Sequence, residues 1–202
     1  MTIAAAIIEA GADVFCCDIL DSPSPLEWKA LQLKASQYGA IARYYQVDIT
    51  DVIGVTDCFA TIAAQSRYPI NGFLSCAATQ HEQLAIDYDM DKFRSILQIN
   101  VDGTMATAQA AARLMRDSGR GGSILLIASM SGAVANRVSL ASPLFHLFPI
   151  AHTMITSHRA CIARHTTLPK RQSYNSVDLS PLNGPNTISE SIHSVLVTFE
   201  QP

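Results

Sequence analysis

Residues 91–132, DKFRSILQINVDGTMATAQAAARLMRDSGRGGSILLIASMSG, decide how the rest of the chain is read. Phe93, Ile96, Leu97, Met105, Ala108, Ala112 and Met115 recur at helical spacing, while 123–129 is a short aliphatic run bounded by glycines. The stretch therefore predicts a helix feeding a buried strand. Two polar residues interrupt it. Asn100 lies inside the helical pattern, where its amide competes with the backbone. Ser129 ends the apolar run, at the place where open α/β sheets put their ligands. Spacing alone leaves a plainer reading open for each: a helix cap or kink for Asn100, a strand-end turn for Ser129.

Upstream the same alternation repeats. Residues 2–10 are alanine-rich and helical, with Gly11 where a helix stops. Residues 12–19 (ADVFCCDI) then read as a strand covered on both faces and closing on Asp18. A turn at 21–25 leads to an amphipathic helix over 26–38, whose Trp28 reads as a packing residue. A strand over 42–47 ends in Asp48-Ile49-Thr50-Asp51, and Asp51 suits the N-cap of a helix over 52–66. Another turn and buried strand follow at 69–78, ending Ser75-Cys76-Ala77-Ala78. Helix and strand in strict alternation predict a parallel sheet with helices on both faces.

Asn100-Val101-Asp102-Gly103-Thr104, followed by Gly122-Ser123-Ile124 through Ile127-Ala128-Ser129-Met130-Ser131-Gly132, resembles the centre of the classical short-chain dehydrogenase/reductase family. The resemblance extends over about residues 2–138. It implies a three-layer α/β/α Rossmann-like parallel sheet and NAD(P)-dependent chemistry on a secondary alcohol or ketone, with a polyol or sugar as substrate class. It also implies that Asn100 and Ser129 belong to an Asn-Ser-Tyr-Lys catalytic set. The serine orients the substrate oxygen, the asparagine holds a proton-relay water, and the tyrosine exchanges the proton. By the same resemblance Asp48 and Ile49 line the adenine pocket, and Cys76 and Ala77 stand where Asn-Asn-Ala-Gly supports the cofactor's ribose. Asp18 would accept hydrogen bonds from the adenosine ribose and repel a 2′-phosphate, which favours NAD over NADP. A strand-end turn is the alternative for Asp18. Assembly through the helix at 100–116 is implied as well, giving a homo-oligomer.

The family pattern is not matched at either end. No glycine precedes Gly11, so the Gly-x-x-x-Gly-x-Gly turn and first strand are not found, and the expected sheet is incomplete, with its first strand missing. Gly119-Arg120-Gly121-Gly122 precedes a strand and reads as a loop. Thirteen residues after Ser129, where the family has tyrosine, stands Ser142, and His146 occupies the lysine position. Ser173-Tyr174-Asn175-Ser176 resembles the start of the tyrosine motif, but Asp178 replaces the lysine and would raise, not lower, a tyrosine pKa. The expectation is a Rossmann domain over 1–139 and an irregular tail over 140–202, which holds six of the nine prolines. Catalysis is expected to be impaired or lost and cofactor binding weak. The rival readings are a non-catalytic nucleotide- or partner-binding protein and an unstable remnant whose neighbouring strands lack partners.

Composition narrows the partners. Seventeen acidic against fourteen basic residues supply no field for nucleic acid. No apolar run reaches the ~18 residues a membrane-spanning helix needs. Five cysteines (Cys16, Cys17, Cys58, Cys76, Cys161) lack metal-type spacing and read as reduced thiols of a cytoplasmic protein. Adjacent strand residues face opposite ways, so Cys16 and Cys17 are not expected to bond each other. His146, His152, His158 and His165 do not match a zinc pattern.

Overall fold

Helix α1 (Thr2–Glu9) turns its buried Ala4 and Ile8 onto the sheet and stops at Gly11, whose φ of 87° is the left-handed conformation that favours glycine. Strand β1 (Asp13–Asp18) is buried at every position, as a strand covered on both faces must be. Helix α2 (Pro25–Gln37) begins on a proline, whose missing N–H costs nothing at a helix start. It buries only Leu31 and Ala35 and leaves Leu26 and Leu33 exposed, a thinner apolar stripe than its sequence predicts. Strand β2 (Ala42–Gln46) follows, then α3 (Val52–Gln65), whose buried Val55, Phe59 and Ile62 fall on one helical face. Strand β3 (Gly72–Ser75) leads through a short 3₁₀ turn to α4 (Met90–Leu97). A π-helical turn (Gln98–Gly103) joins α4 to α5 (Thr104–Asp117), and β4 (Ser123–Leu126) completes the elements expected from the sequence. The structure, a computed structural model, describes residues 1–81, 83, 85–128 and 194–198.

The sheet order is β2-β1-β5-β3-β4. β1 runs parallel to β2, and β3 parallel to β4, in the register of a doubly wound fold. Helices α1 and α2 cover one face through Ala4, Ile8, Val14, Cys16, Leu31 and Leu74. Helices α3 and α5 cover the other around Phe15, Phe59, Ile62, Phe73, Ala111 and Met115. The expected three layers are present.

The tail reading needs correction. Residues 194–198 form strand β5 (Ser194–Thr198), which lies between β1 and β3 and antiparallel to both. The sheet is therefore mixed rather than wholly parallel, and the gap expected between β1 and β3 is filled. The physical reason lies in what both sides offer. Two neighbouring strands each present a row of N–H and C=O groups, and the run Ser-Val-Leu-Val-Thr has the β-branched composition that accepts such a ladder. A five-residue run inside a proline-rich tail shows too short a period to stand out by sequence. The remaining tail expectations, including those for Tyr174 and the histidines, lie outside the described residues.

Candidate functional site

β1, β2, β3 and β4 all run in one direction, so their carboxyl ends share an edge. Asp18 ends β1 there and is 1% exposed. Its Oδ1 accepts from the Leu20 N–H at 3.1 Å, which closes the turn after the strand. Two residues of β2 hold that turn from the side. The Tyr44 hydroxyl donates to the Leu20 carbonyl at 2.9 Å, and the Gln46 amide donates to the Ile19 carbonyl at 3.1 Å. Burial, with the nearby charges of Asp18 and Asp21, pushes the Tyr44 phenol up to about 12. Tyr44 therefore remains a hydrogen-bond donor across the neutral range. Sequence reasoning missed both residues, although their i, i+2 spacing on a strand puts them on one face.

After β2, Asp48 is exposed and its Oδ1 accepts from the Thr50 N–H and hydroxyl at 2.9 and 2.8 Å. Ile49 is 7% exposed and packs into the core. A Cβ on Gly103 would come within 2.7 Å of Ile49 Cγ1 and 3.1 Å of the Ile49 carbonyl oxygen. Glycine at 103 is thus what lets the loop after β2 seat against the π turn. Asp51 caps α3 as expected, accepting from the N–H groups of Ile53 and Gly54 at 3.1 and 3.0 Å.

After β3 the chain alternates. Cys76 is half-buried against the α1–α2 layer, and Ala77 is buried against the α3–α5 layer. Burial raises the Cys76 thiol pKa, which keeps it protonated and a poor nucleophile. Asn100 sits in the π turn, the kind of helix irregularity that recurs at functional sites. Its Oδ1 accepts from the Thr79 N–H and its Nδ2 donates to the Thr79 carbonyl, both at 2.8 Å. The side-chain amide therefore clamps the loop that follows β3, a role for Thr79 that no sequence signal announced.

The fold thus brings Asp18, Asp48, Ile49, Cys76, Ala77 and Asn100 to the loops at the carboxyl ends of β1, β2 and β3. Ser129 and Tyr174 lie outside the described residues. Among the described residues no cluster of three His, Cys, Asp or Glu side chains suits a metal, and no helix is long and apolar enough to cross a membrane.

A carboxylate at the end of β1 is an acceptor suited to hydroxyl donors, and the small residues after β3 leave the backbone there open to close approach. At the opposite, amino edge of the sheet, Asp13 is 2% exposed. It accepts from Arg67 Nε at 2.9 Å, from Arg67 Nη2, and from the Ile41 N–H at 2.8 Å. That pairing ties the starts of β1 and β2 to the loop before β3, and sequence reasoning did not foresee it.

Comparison with known proteins agrees with this architecture. The family model for short chain dehydrogenase matches residues 1–141. A "Short chain dehydrogenases/reductase notP'" of Aspergillus versicolor is 39% identical over 136 residues, which are 67% of this chain and 47% of the relative. A galactitol 2-dehydrogenase (L-tagatose-forming) of Cereibacter sphaeroides is 31% identical over 117 residues, 57% of this chain and 45% of the relative. A short-chain type dehydrogenase/reductase from Mycobacterium marinum superposes with a TM-score of 0.63 at 28% identity, covering 74% of this chain and 59% of that one. The chain thus spans about half the length of these curated relatives. With the layered sheet, the π turn at Asn100 and a family match running from the first residue to beyond β4, this chain belongs to the short-chain dehydrogenase family.

Proposed function

We propose that this chain is a nucleotide-binding scaffold of the NAD(P)-dependent oxidoreductase type, acting on a secondary alcohol or ketone of polyol or sugar kind with little or no turnover of its own. The observation that carries this reading is the gathering of Asp18, Asp48–Ile49, Cys76–Ala77 and Asn100 on one edge of the sheet. A bound nicotinamide would supply the hydride acceptor or donor. Asp18 accepts from the adenosine ribose hydroxyls, and its negative charge repels a 2′-phosphate, so NAD is preferred over NADP. Tyr44 and Gln46 hold the turn that presents Asp18. Ile49 seats the loop after β2, and Asn100 fixes the loop after β3 through Thr79. Ser129 orients the substrate oxygen in this reading, and Tyr174 is the candidate for proton exchange. Because Asp178 stands where a lysine would lower the tyrosine pKa, proton exchange near neutrality is slow. The similarity to a galactitol 2-dehydrogenase supports the polyol class. A homo-oligomer through α5, whose Met105 is exposed, fits the same reading.

Titration of the purified chain with NADH and NADPH, followed by nucleotide fluorescence, tests the proposal. Saturable NADH binding that exceeds NADPH binding, with the difference abolished in Asp18→Ala, is expected. Equal affinity for both nucleotides, unchanged by Asp18→Ala, would remove Asp18 from the site. No saturable binding of either would defeat the nucleotide reading itself.

A further inference from the structure

The turn after β1 is held more firmly than its exposure suggests. Ile19 and Leu20 are 52% and 42% exposed, yet both of their carbonyls accept from side chains of β2. The peptide between them is fixed at both ends: its carbonyl accepts from Gln46 Nε2 at 3.1 Å, and its N–H donates to Asp18 Oδ1 at 3.1 Å. The next carbonyl, that of Leu20, accepts from the Tyr44 hydroxyl at 2.9 Å. Gln46 lies opposite Asp18 in register, and the ladder runs one step further, with the Val47 N–H donating to the Asp18 carbonyl at 2.7 Å. Tyr44 is braced in turn by α2. Its ring meets Trp28 edge-on, with centroids 5.8 Å apart and planes at 73°. Two consecutive peptides of an exposed turn are therefore pinned from one strand, and a helix backs the pin.

Resting on the nucleotide reading above, we infer that Tyr44 and Gln46 are specificity-determining positioning residues, which set the preference for NAD over NADP by fixing where the Leu20 N–H points. A 2′-phosphate at the end of β1 meets the Asp18 carboxylate, and two anions at short range repel. That repulsion is offset wherever a turn swings a backbone N–H toward the phosphate, since such groups bind anions. Here the swing is opposed. Rotating the Ile19–Leu20 peptide outward takes its N–H off Asp18 and its carbonyl off Gln46, and it turns that carbonyl oxygen toward the Asp18 carboxylate. It also disturbs the adjoining Leu20 carbonyl, which Tyr44 holds. The phenol, pushed up to about 12 chiefly by burial, stays protonated and keeps donating across the neutral range. A ribose with a free 2′-hydroxyl is a donor to Asp18 and needs no such N–H. The cost of the pinned turn therefore falls on one nucleotide only. Trp28 enters the same chain of contacts because it limits how far the Tyr44 ring can tilt away from Leu20.

Dissociation constants for NADH and NADPH are measured by nucleotide fluorescence on the full chain and on Tyr44→Phe, Gln46→Leu and the double variant. Each single change removes one hydrogen bond and should cut the NADH-over-NADPH ratio by about two- to tenfold, the double variant by more, through tighter NADPH binding. Trp28→Phe keeps an aromatic edge on Tyr44 and should retain the ratio, whereas Trp28→Ala should lower it. Equal weakening of both nucleotides, with the ratio unchanged, overturns the inference and leaves Tyr44 and Gln46 as supports of the fold; wild-type preference for NADH then keeps the nucleotide reading standing. No saturable binding by the wild type defeats that reading and the inference with it. Hydrogen exchange on the nucleotide-free chain reads the pin itself: the Leu20 amide should be protected in the wild type and less so in Gln46→Leu. An unprotected Leu20 amide in the wild type overturns the inference even where a variant fails to fold.

Discussion

Replacing Arg67 by alanine isolates the ion pair that ties the starts of β1, β2 and the loop before β3. The Asp13 side chain is 1% exposed and that of Arg67 is 44% exposed, so the two partners stand in different solvents. Removing the arginine leaves a buried carboxylate supported by the Ile41 N–H, and breaking a buried pair in this way costs ~3–5 kcal/mol. Because the guanidinium side opens to water, the low end applies, about 3 kcal/mol. Asp13→Asn is the milder change. The amide keeps the acceptor for Ile41, and the arginine left behind is already half solvated and still donates to the Gly39 carbonyl at 3.2 Å. Its cost should be about 1–2 kcal/mol, that of a charge-assisted hydrogen bond becoming a neutral one. The double variant should fall close to Asp13→Asn alone, so the coupling energy should approach the cost of Arg67→Ala itself, about 3 kcal/mol. Urea unfolding followed by far-UV circular dichroism reads all three from the shift in midpoint at unchanged m-value. Against a domain stability of ~5–15 kcal/mol the arginine variant should be visibly weakened. An Arg67→Ala protein within ~0.5 kcal/mol of wild type, the range of a neutral surface change, would falsify the argument that Asp13 is a buried charge in need of its partner.

Deleting residues 194–202 removes β5, and the amides facing it in β1 (Asp13 to Cys17) and β3 (Gly72 to Ser75) should lose hydrogen-exchange protection before those of β2 and β4 do. Uniform retention of protection would mean that β5 is not what pairs these strands. Gly103→Ala drives a methyl group to 2.7 Å from Ile49 Cγ1, and such overpacking should cost ~1–3 kcal/mol in the same unfolding assay; unchanged stability would show that the loop after β2 yields freely. At the start of α4, Asp89 accepts from the N–H groups of Asp91 and Lys92, and these bonds hold its carboxyl below the usual range. A depressed folded pKa means that the cap contributes fully above the unfolded value of ~3.9 and is lost as pH falls through the folded one. Protection factors in α4, corrected for the intrinsic pH dependence of exchange, should therefore fall in acid for the wild type, while Asp89→Ala shows the lowered protection already at neutral pH.

Much of this architecture is written in local pattern. The apolar runs at β1, β3 and β4 and the helical spacing of Val55, Phe59 and Ile62 depend only on which residues must leave water, so these strands and helices fall where periodicity puts them. Asp51 is legible for the same reason, since a helix start needs an acceptor for its own N–H groups whatever surrounds it. The polar interruption at Asn100 likewise marks a real irregularity, the π turn. What partners a side chain finds across the chain is another matter. Asn100 clamping Thr79, Tyr44 and Gln46 holding the turn after Asp18, and Arg67 reaching Asp13 all join residues far apart in sequence. β5 makes the point most plainly: Ser194–Thr198 is strand because β1 and β3 present unshared ladders for it to fill, a condition that exists only once the sheet has assembled. Sequence by itself determined the elements and their layering, because burial and capping are decided within a few residues; tertiary structure alone decided the strand between β1 and β3 and the contacts that shape the site, because hydrogen-bond partners are supplied by distant chain.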